Sequence, residues 1–202
     1  QLYLPDYAIG RLVEKPQEIT AVIDRYLQTG GEASPKTGLV AGYDFLTDSA
    51  QEIKSVLETQ GITTTSLISD TWTADDLRGA LLGAGHDVNG VNAHFQHWRA
   101  WPADVDSGEL KSDDVLTASA NLSGTLLFSV GCHAGLNVPD GWDDAGSALD
   151  FSQAFAGSGA TWVANTGYGY GMDDAAALSE RLMGDFVKEL GRGSEVAIGR
   201  AL

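Results

Sequence analysis

Hydrophobic positions along the chain follow two alternating rhythms. Over 16–28, Ile19, Val22, Ile23, Tyr26 and Leu27 recur at the spacing of one helical face, and Pro16 suits a first turn. The run TGLVAGY (37–43) is short and apolar and reads as a buried strand. Ser49 and Glu52 have capping-box spacing and predict a helix with Ile53, Val56 and Leu57 inward. The β-branched GITTTSLI (61–68) predicts a second strand, and Thr73 then caps a helix holding Leu77, Ala80 and Leu81. HDVNGVNAH (86–94) reads as a third, weaker strand and TLLFSV (125–130) as the fourth and most buried. A short helix around Phe151 and Phe155, a strand over 160–166 and a long helix carrying Leu178, Leu182, Met183, Phe186 and Leu190 follow. Residues 99–120 and 135–148 read as long loops.

Strands alternating with helices predict an α/β fold, a mostly parallel central sheet with helices on both faces and right-handed crossovers. At 202 residues the chain suits a single domain spanning 1–202. The opening QLYLPDYAIGRL and the closing SEVAIGRAL, read as a helix, suggest a piece of a longer precursor.

Charge narrows the partners. Acidic residues outnumber basic ones 28 to 12, for a net charge of −16. Such a surface repels nucleic acid and anionic membranes, and no run is long enough to span a bilayer. It suits an extracellular or high-salt setting, a cationic substrate or bound calcium. The single cysteine excludes an internal disulfide.

Ligands of open α/β sheets sit at the carboxyl ends of the strands. Two ends bear chemistry: the third strand ends in Asn92, Ala93, His94, and the fourth in Gly131, Cys132. A thiol beside an imidazole gains thiolate character, and the imidazole can later protonate a leaving amine. Gly131 and Gly135 permit a tight turn, and the Cys132 N–H can face a developing oxyanion. An inert buried thiol is an equal reading of the cysteine by itself. A zinc site from His94, His97, Cys132 and His133 is another. His133, an immediate neighbour on an extended segment, points away from Cys132, and His86 reads as surface. Asp44 and Asp48, then Asp140, Asp143 and Asp144, then Asp173 and Asp174 all follow strands and can bind a cation, calcium included, although no EF-hand pattern is present. Tyr168 and Tyr170, in GYGYGMDD (167–174), can wall a pocket.

The segments YAIGRLVEKPQEITAVIDRYLQTGG, VNGVNAHFQHW, LLFSVGCHAG and SEVAIGRAL, in this order and spacing, resemble the gingipain-type cysteine peptidases, relatives of caspases, metacaspases and legumains. The resemblance implies a caspase-like fold, a Cys132 nucleophile and His94 as general base and acid. It implies oxyanion donors at the backbone N–H groups of Cys132 and Phe95. The family usually has glycine where Phe95 stands, so a catalytically inactive binding or structural module of a surface protein is the alternative. The resemblance also implies a substrate pocket from GYDFLTDS and NTGYGYGMDD, with Asp44, Asp48, Tyr168, Tyr170 and Asp173 as candidates. An acidic pocket favours a protein or peptide substrate cut after a basic residue. No cofactor is required for such chemistry, structural calcium is compatible with it, and the setting implied is a bacterial secreted or cell-surface one.

Overall fold

The computed structural model describes residues 9–142, 149–192 and 196–202. Asp143 and Asp144 lie outside the described residues. Five strands form the central sheet: β1 (Thr37–Gly42), β2 (Thr63–Ile68), β3 (Val88–Val91), β4 (Leu126–Ser129) and β5 (Thr161–Ala164). Their order is β2-β1-β3-β4-β5 and every pairing is parallel. The helices are α1 (Pro16–Thr29), α2 (Thr47–Thr59), α3 (Ala74–Arg78), α4 (Phe151–Gly157) and α5 (Ser179–Leu190).

Burial on both faces explains why β1 and β4 read as unbroken apolar runs rather than alternating ones. Val40, Leu126 and Phe128 join the core under α2 and α5, with Ile53, Leu57, Met183, Phe186 and Val187. Leu39, Ala41 and Leu127 join the other core, with Leu77, Leu81, Phe151 and Phe155. Gly90 lets β3 lie against β4, because a Cβ there would come within 2.8 Å of the Phe128 ring. Thr73 caps α3 as expected: its Oγ1 accepts the Asp76 N–H at 3.1 Å, and the Asp76 carboxylate accepts the Thr73 N–H in return.

Several local expectations change. Helix α2 starts at Thr47, continuing a 3-10 turn over Asp44–Leu46, so no Ser49 capping box forms. Ser49 Oγ is buried and has no partner among the described residues. The turn already satisfies the incoming backbone, since Tyr43 C=O accepts the Leu46 N–H at 3.1 Å. The expected loop 99–120 carries the end of a small antiparallel sheet, pairing 95–96 with 99–100 and 99–100 with 110–111, then a helical turn at Ser112–Val115. Two-residue strands are too short for any periodicity to register. Arg99 stacks on Trp98 and Trp101, at 4.7 and 4.4 Å, and pairs with Glu109 at 3.2 Å to hold this hairpin. Helix α1 forms where expected but has no buried residue; its Ile23, Tyr26 and Leu27 remain exposed. His86 is not at the surface in the expected sense, because both ring nitrogens are buried and have no partner among the described residues. Among the described residues at the end of the chain, Ile198–Ala201 is helical and 196–197 pairs antiparallel with 32–33.

Candidate active site

The strand order reverses direction at β1, with β2 on one side and β3 on the other, and a crevice opens at the carboxyl ends there. Two strand ends supply its polar side chains, His94 after β3 and Cys132 after β4, and Asp44 after β1 stands beside His94. His94 and Cys132 line one narrow cleft together with Phe45, Gly169 and Tyr170.

The His94 backbone is clamped. Its N–H donates to Tyr43 Oη at 3.3 Å, its carbonyl accepts the Trp101 N–H at 3.0 Å, and Tyr43 Oη donates to Trp101 O at 3.1 Å. The imidazole lies edge-on to Tyr43, with ring centroids 5.6 Å apart. Burial pushes the Tyr43 phenol above its ordinary pKa, so it stays a neutral donor. Asp44, placed among the pocket candidates on sequence, sets its Oδ2 3.7 Å from His94 Nε2. Asp44 has φ of +55°, a left-handed conformation that Asp tolerates better than most residues. The Asp70 carboxylate accepts its N–H at 3.0 Å.

The turn carrying Cys132 is laced to β5 and the segment after it. Asn165 Nδ2 donates to Val130 O at 2.8 Å, Trp162 Nε1 to Ala134 O at 2.8 Å, His133 N–H to Gly167 O at 2.7 Å and Gly135 N–H to Asn165 O at 2.9 Å. Cys132 Sγ donates to Gly169 O at 3.6 Å. The Cys132 N–H has no protein acceptor among the described residues, so a carbonyl oxygen entering the cleft can take it. Gly169 is required by space, since a Cβ would overlap the Val130 carbonyl.

Phe95, the residue that departs from glycine, turns its ring into the core against Phe151 at 5.4 Å and Trp162 at 6.3 Å. It does not occupy the cleft. The ring presses on Gly131, where a Cβ would lie 2.5 Å from Phe95 Cδ2. Glycine before the cysteine is therefore a packing requirement as well as a turn requirement.

Among the remaining candidates, Tyr170 borders the cleft, and Tyr168 packs edge-on against His133 at 4.7 Å. Asp48 is half-buried in the first turn of α2, Asp173 is exposed on the loop after β5, and Asp140 is engaged by Lys15 at 2.7 Å. His133 Nδ1 lies 3.2 Å from Thr166 O, and His97 accepts the Phe151 N–H through its own carbonyl at 2.8 Å. Among the described residues no three His, Cys, Asp or Glu side chains converge to hold a metal, so the four suggested zinc ligands are not gathered.

Sequence reading missed Glu180. It is fully buried at the start of α5, and its Oε2 accepts the N–H groups of Met172 at 3.1 Å and Ala177 at 3.2 Å. Burial holds its pKa above the ordinary carboxylate value, with Asp48 adding to the rise. Its signal was a charged residue among the apolar positions of an amphipathic helix, which reads as solvated unless the loop folds over it.

No protein-family model matches the chain, and no curated protein matches it in sequence. Three solved chains match in the structural comparison, two of them as follows. The complex of the pro- and mature domains of Porphyromonas gingivalis RgpB superposes with a TM-score of 0.62 at 17% identity, over 93% of this chain and 46% of that one. A flavodoxin from Streptococcus pneumoniae TIGR4 gives a TM-score of 0.40 at 16% identity, over 76% of this chain and 97% of that one. The first likeness, together with the five-stranded parallel sheet, defines a gingipain-like, caspase-type α/β fold. This chain spans about half the length of the RgpB chain that it resembles.

Proposed function

We propose that the chain is a cysteine endopeptidase. The observation that carries the reading is that His94 and Cys132, from the ends of adjacent parallel strands, line one cleft on a gingipain-like fold. His94 removes the Cys132 proton, and the thiolate attacks the scissile carbonyl. The backbone N–H groups of Cys132 and Phe95 receive the oxyanion. The imidazolium, steadied by Asp44, protonates the leaving amine, and a thioester remains. Water, deprotonated by His94, cleaves it to release the acid and the thiol. Asp48 and Asp173 and the net charge of −16 favour a substrate with a basic residue before the cut. A secreted or cell-surface bacterial setting belongs to the same proposal, as does structural calcium; loss of thermal stability on adding a chelator tests the calcium.

The test is hydrolysis of a broad peptide library by wild type and Cys132→Ala, with labelling by a peptide-like thiol electrophile. Hydrolysis lost in Cys132→Ala and labelling lost in His94→Ala are expected; undiminished hydrolysis by Cys132→Ala removes the thiol from the mechanism. One observation favours the rival binding module: the thiol donates to Gly169 O, and no hydrogen bond joins it to His94 among the described residues. Unselective, His94-independent labelling decides for that module.

A further inference from the structure

Three buried side chains beneath the crevice carry polar atoms with no partner among the described residues: Ser49 Oγ, both polar atoms of the Asn92 side chain, and Glu180 Oε1. None of the three residues is more than 1% exposed. Buried polar atoms are almost always paired, so neighbouring exceptions point to something that completes them.

Topology gathers the three. Val88, Gly90 and Asn92 alternate along β3 and its continuation, so Asn92 faces the core under α2 and α5, as Val88 does. The Asn92 N–H donates to Ala41 O at 3.0 Å, which sets the residue beside Gly42. Helix α2 presses on Gly42, where a Cβ would come within 2.4 Å of Ala50 Cβ, and Ser49 precedes Ala50. Helices α2 and α5 run side by side. Gly191 lies against Gln60, and Gly184 lies against Glu52, where a Cβ would stand 3.8 Å from Oε1. The same stagger, one turn nearer the crevice, brings Ser49 level with Glu180. Asp48 is near enough to Glu180 for its charge to add to the rise in pKa.

Charge decides what the cluster takes. Glu180 Oε2 accepts two N–H groups, but no Lys or Arg pairs with this carboxylate among the described residues. The two cationic side chains of α5 are taken elsewhere, Arg181 by Asp185 and Lys188 by Glu52 and Asp185. Asp48 adds negative charge nearby, with its Oδ1 accepting the Ser49 N–H at 2.6 Å. Buried charges are paired or bind a metal ion. Glu180 Oε1, Asn92 Oδ1 and Ser49 Oγ offer three oxygen ligands with one formal charge among them. Calcium takes about six to eight oxygens, several of them carboxylate. A set this small and this weakly charged suits a singly charged ion.

We propose that Glu180, Asn92 and Ser49 hold a monovalent alkali cation, sodium or potassium, between α2, α5 and the end of β3. The ion joins the strand end that leads to His94 to the carboxylate that braces the loop beside Cys132. The inference goes beyond the peptidase reading and stands without it.

Thermal melting of the whole chain at fixed ionic strength tests the site, in sodium, potassium and choline chlorides and in choline with added calcium. Sodium or potassium should raise the midpoint over choline, by about 3 °C for each tenfold rise in concentration beyond half-saturation. Glu180→Gln and Asn92→Leu should abolish that difference. Ser49→Ala, the mildest change, should weaken the ion about fivefold and keeps the test open if the larger substitutions fail to fold. The ion binds the ionised carboxylate, so its effect should shrink as pH falls and should oppose the loss that burial of Glu180 alone imposes as pH rises. Equal midpoints in sodium, potassium and choline overturn the proposal and leave the cluster to water or to the Glu180 proton. An alkali effect undiminished in Ser49→Ala, or stabilisation by calcium alone, overturns it as well.

Discussion

Glu180 offers a sharp test, because its one carboxylate braces the loop that walls the cleft. Each of its two N–H···O bonds, to Met172 and Ala177, contributes about 1.5–3 kcal/mol when the acceptor is charged. Burial of the charge opposes that gain, and N–H groups freed on an exposed loop can turn to water. The net cost expected for Glu180→Ala is therefore about 2 kcal/mol. Glu180→Gln keeps a carbonyl oxygen with two lone pairs for the same donors and removes the charge, so it should stay within about 1 kcal/mol of wild type at neutral pH.

The pH dependence carries a definite sign. The folded protein holds the Glu180 proton to higher pH than the unfolded chain does. Between the two pKa values the unfolded state binds fewer protons, so this group's contribution to stability falls as pH rises through that window and stays lower above it. Urea denaturation of wild type, Glu180→Gln and Glu180→Ala at a series of pH values from 4 upward measures it. Glu180→Gln should lose that part of the wild-type pH dependence and gain stability relative to wild type as pH rises. Limited proteolysis should cut Glu180→Ala faster within 168–177. An Ala variant within about 0.5 kcal/mol of wild type, or a Gln variant with the wild-type pH profile, would refute the brace.

Three further outcomes follow from the same geometry. Tyr43→Phe leaves the His94 N–H and Trp101 C=O without their shared hydroxyl; it should cost about 1–2 kcal/mol in urea denaturation and slow His94-dependent labelling of Cys132. His86 has its pKa lowered by burial, so the folded state resists protonation and its contribution to stability is lost as pH falls below about 6.5; His86→Leu should melt with a smaller loss between pH 7.5 and 5 than wild type. Gly169→Ala forces the loop off Val130 O and breaks the Cys132–Gly169 contact; it should cost about 1–3 kcal/mol by thermal melting and change the alkylation rate of Cys132 by iodoacetamide.

The sheet was legible because β1 and β4 are buried on both faces and carry uninterrupted apolar runs, and Thr73 was legible because its capping partner is three residues away. Both signals are local. What failed was long-range. Ile23, Tyr26 and Leu27 of α1 have correct helical spacing but meet no core, and nothing in a period of 3.6 says whether a face finds a partner. Leu178 and Leu182, carried by the last helix, are likewise exposed, while Glu180 beside them is buried because a loop folds over it. The small hairpin after His94 uses strands of two residues, shorter than any pattern that alternation can reveal.

The site divides along the same line. His94 and Cys132 are strand-end residues, and a parallel sheet brings all its carboxyl ends to one edge, so their meeting at one cleft follows from topology alone. The orientation of the groups around them does not. Asp44, in a left-handed turn, sets its carboxylate 3.7 Å from His94, and the Phe95 ring lies outside the cleft against Gly131. Phe95 was the residue that pointed to a dead site, and its burial removes the steric part of that argument while leaving its backbone N–H in place. The competing influence on the thiol lies in Gly169, whose carbonyl accepts a hydrogen bond from it. For His94 to take the thiol proton, the S–H must turn away from Gly169 O. The loop braced by Glu180 and Ser179 carries that carbonyl, so the hold on the thiol depends on the same brace that Glu180→Ala removes.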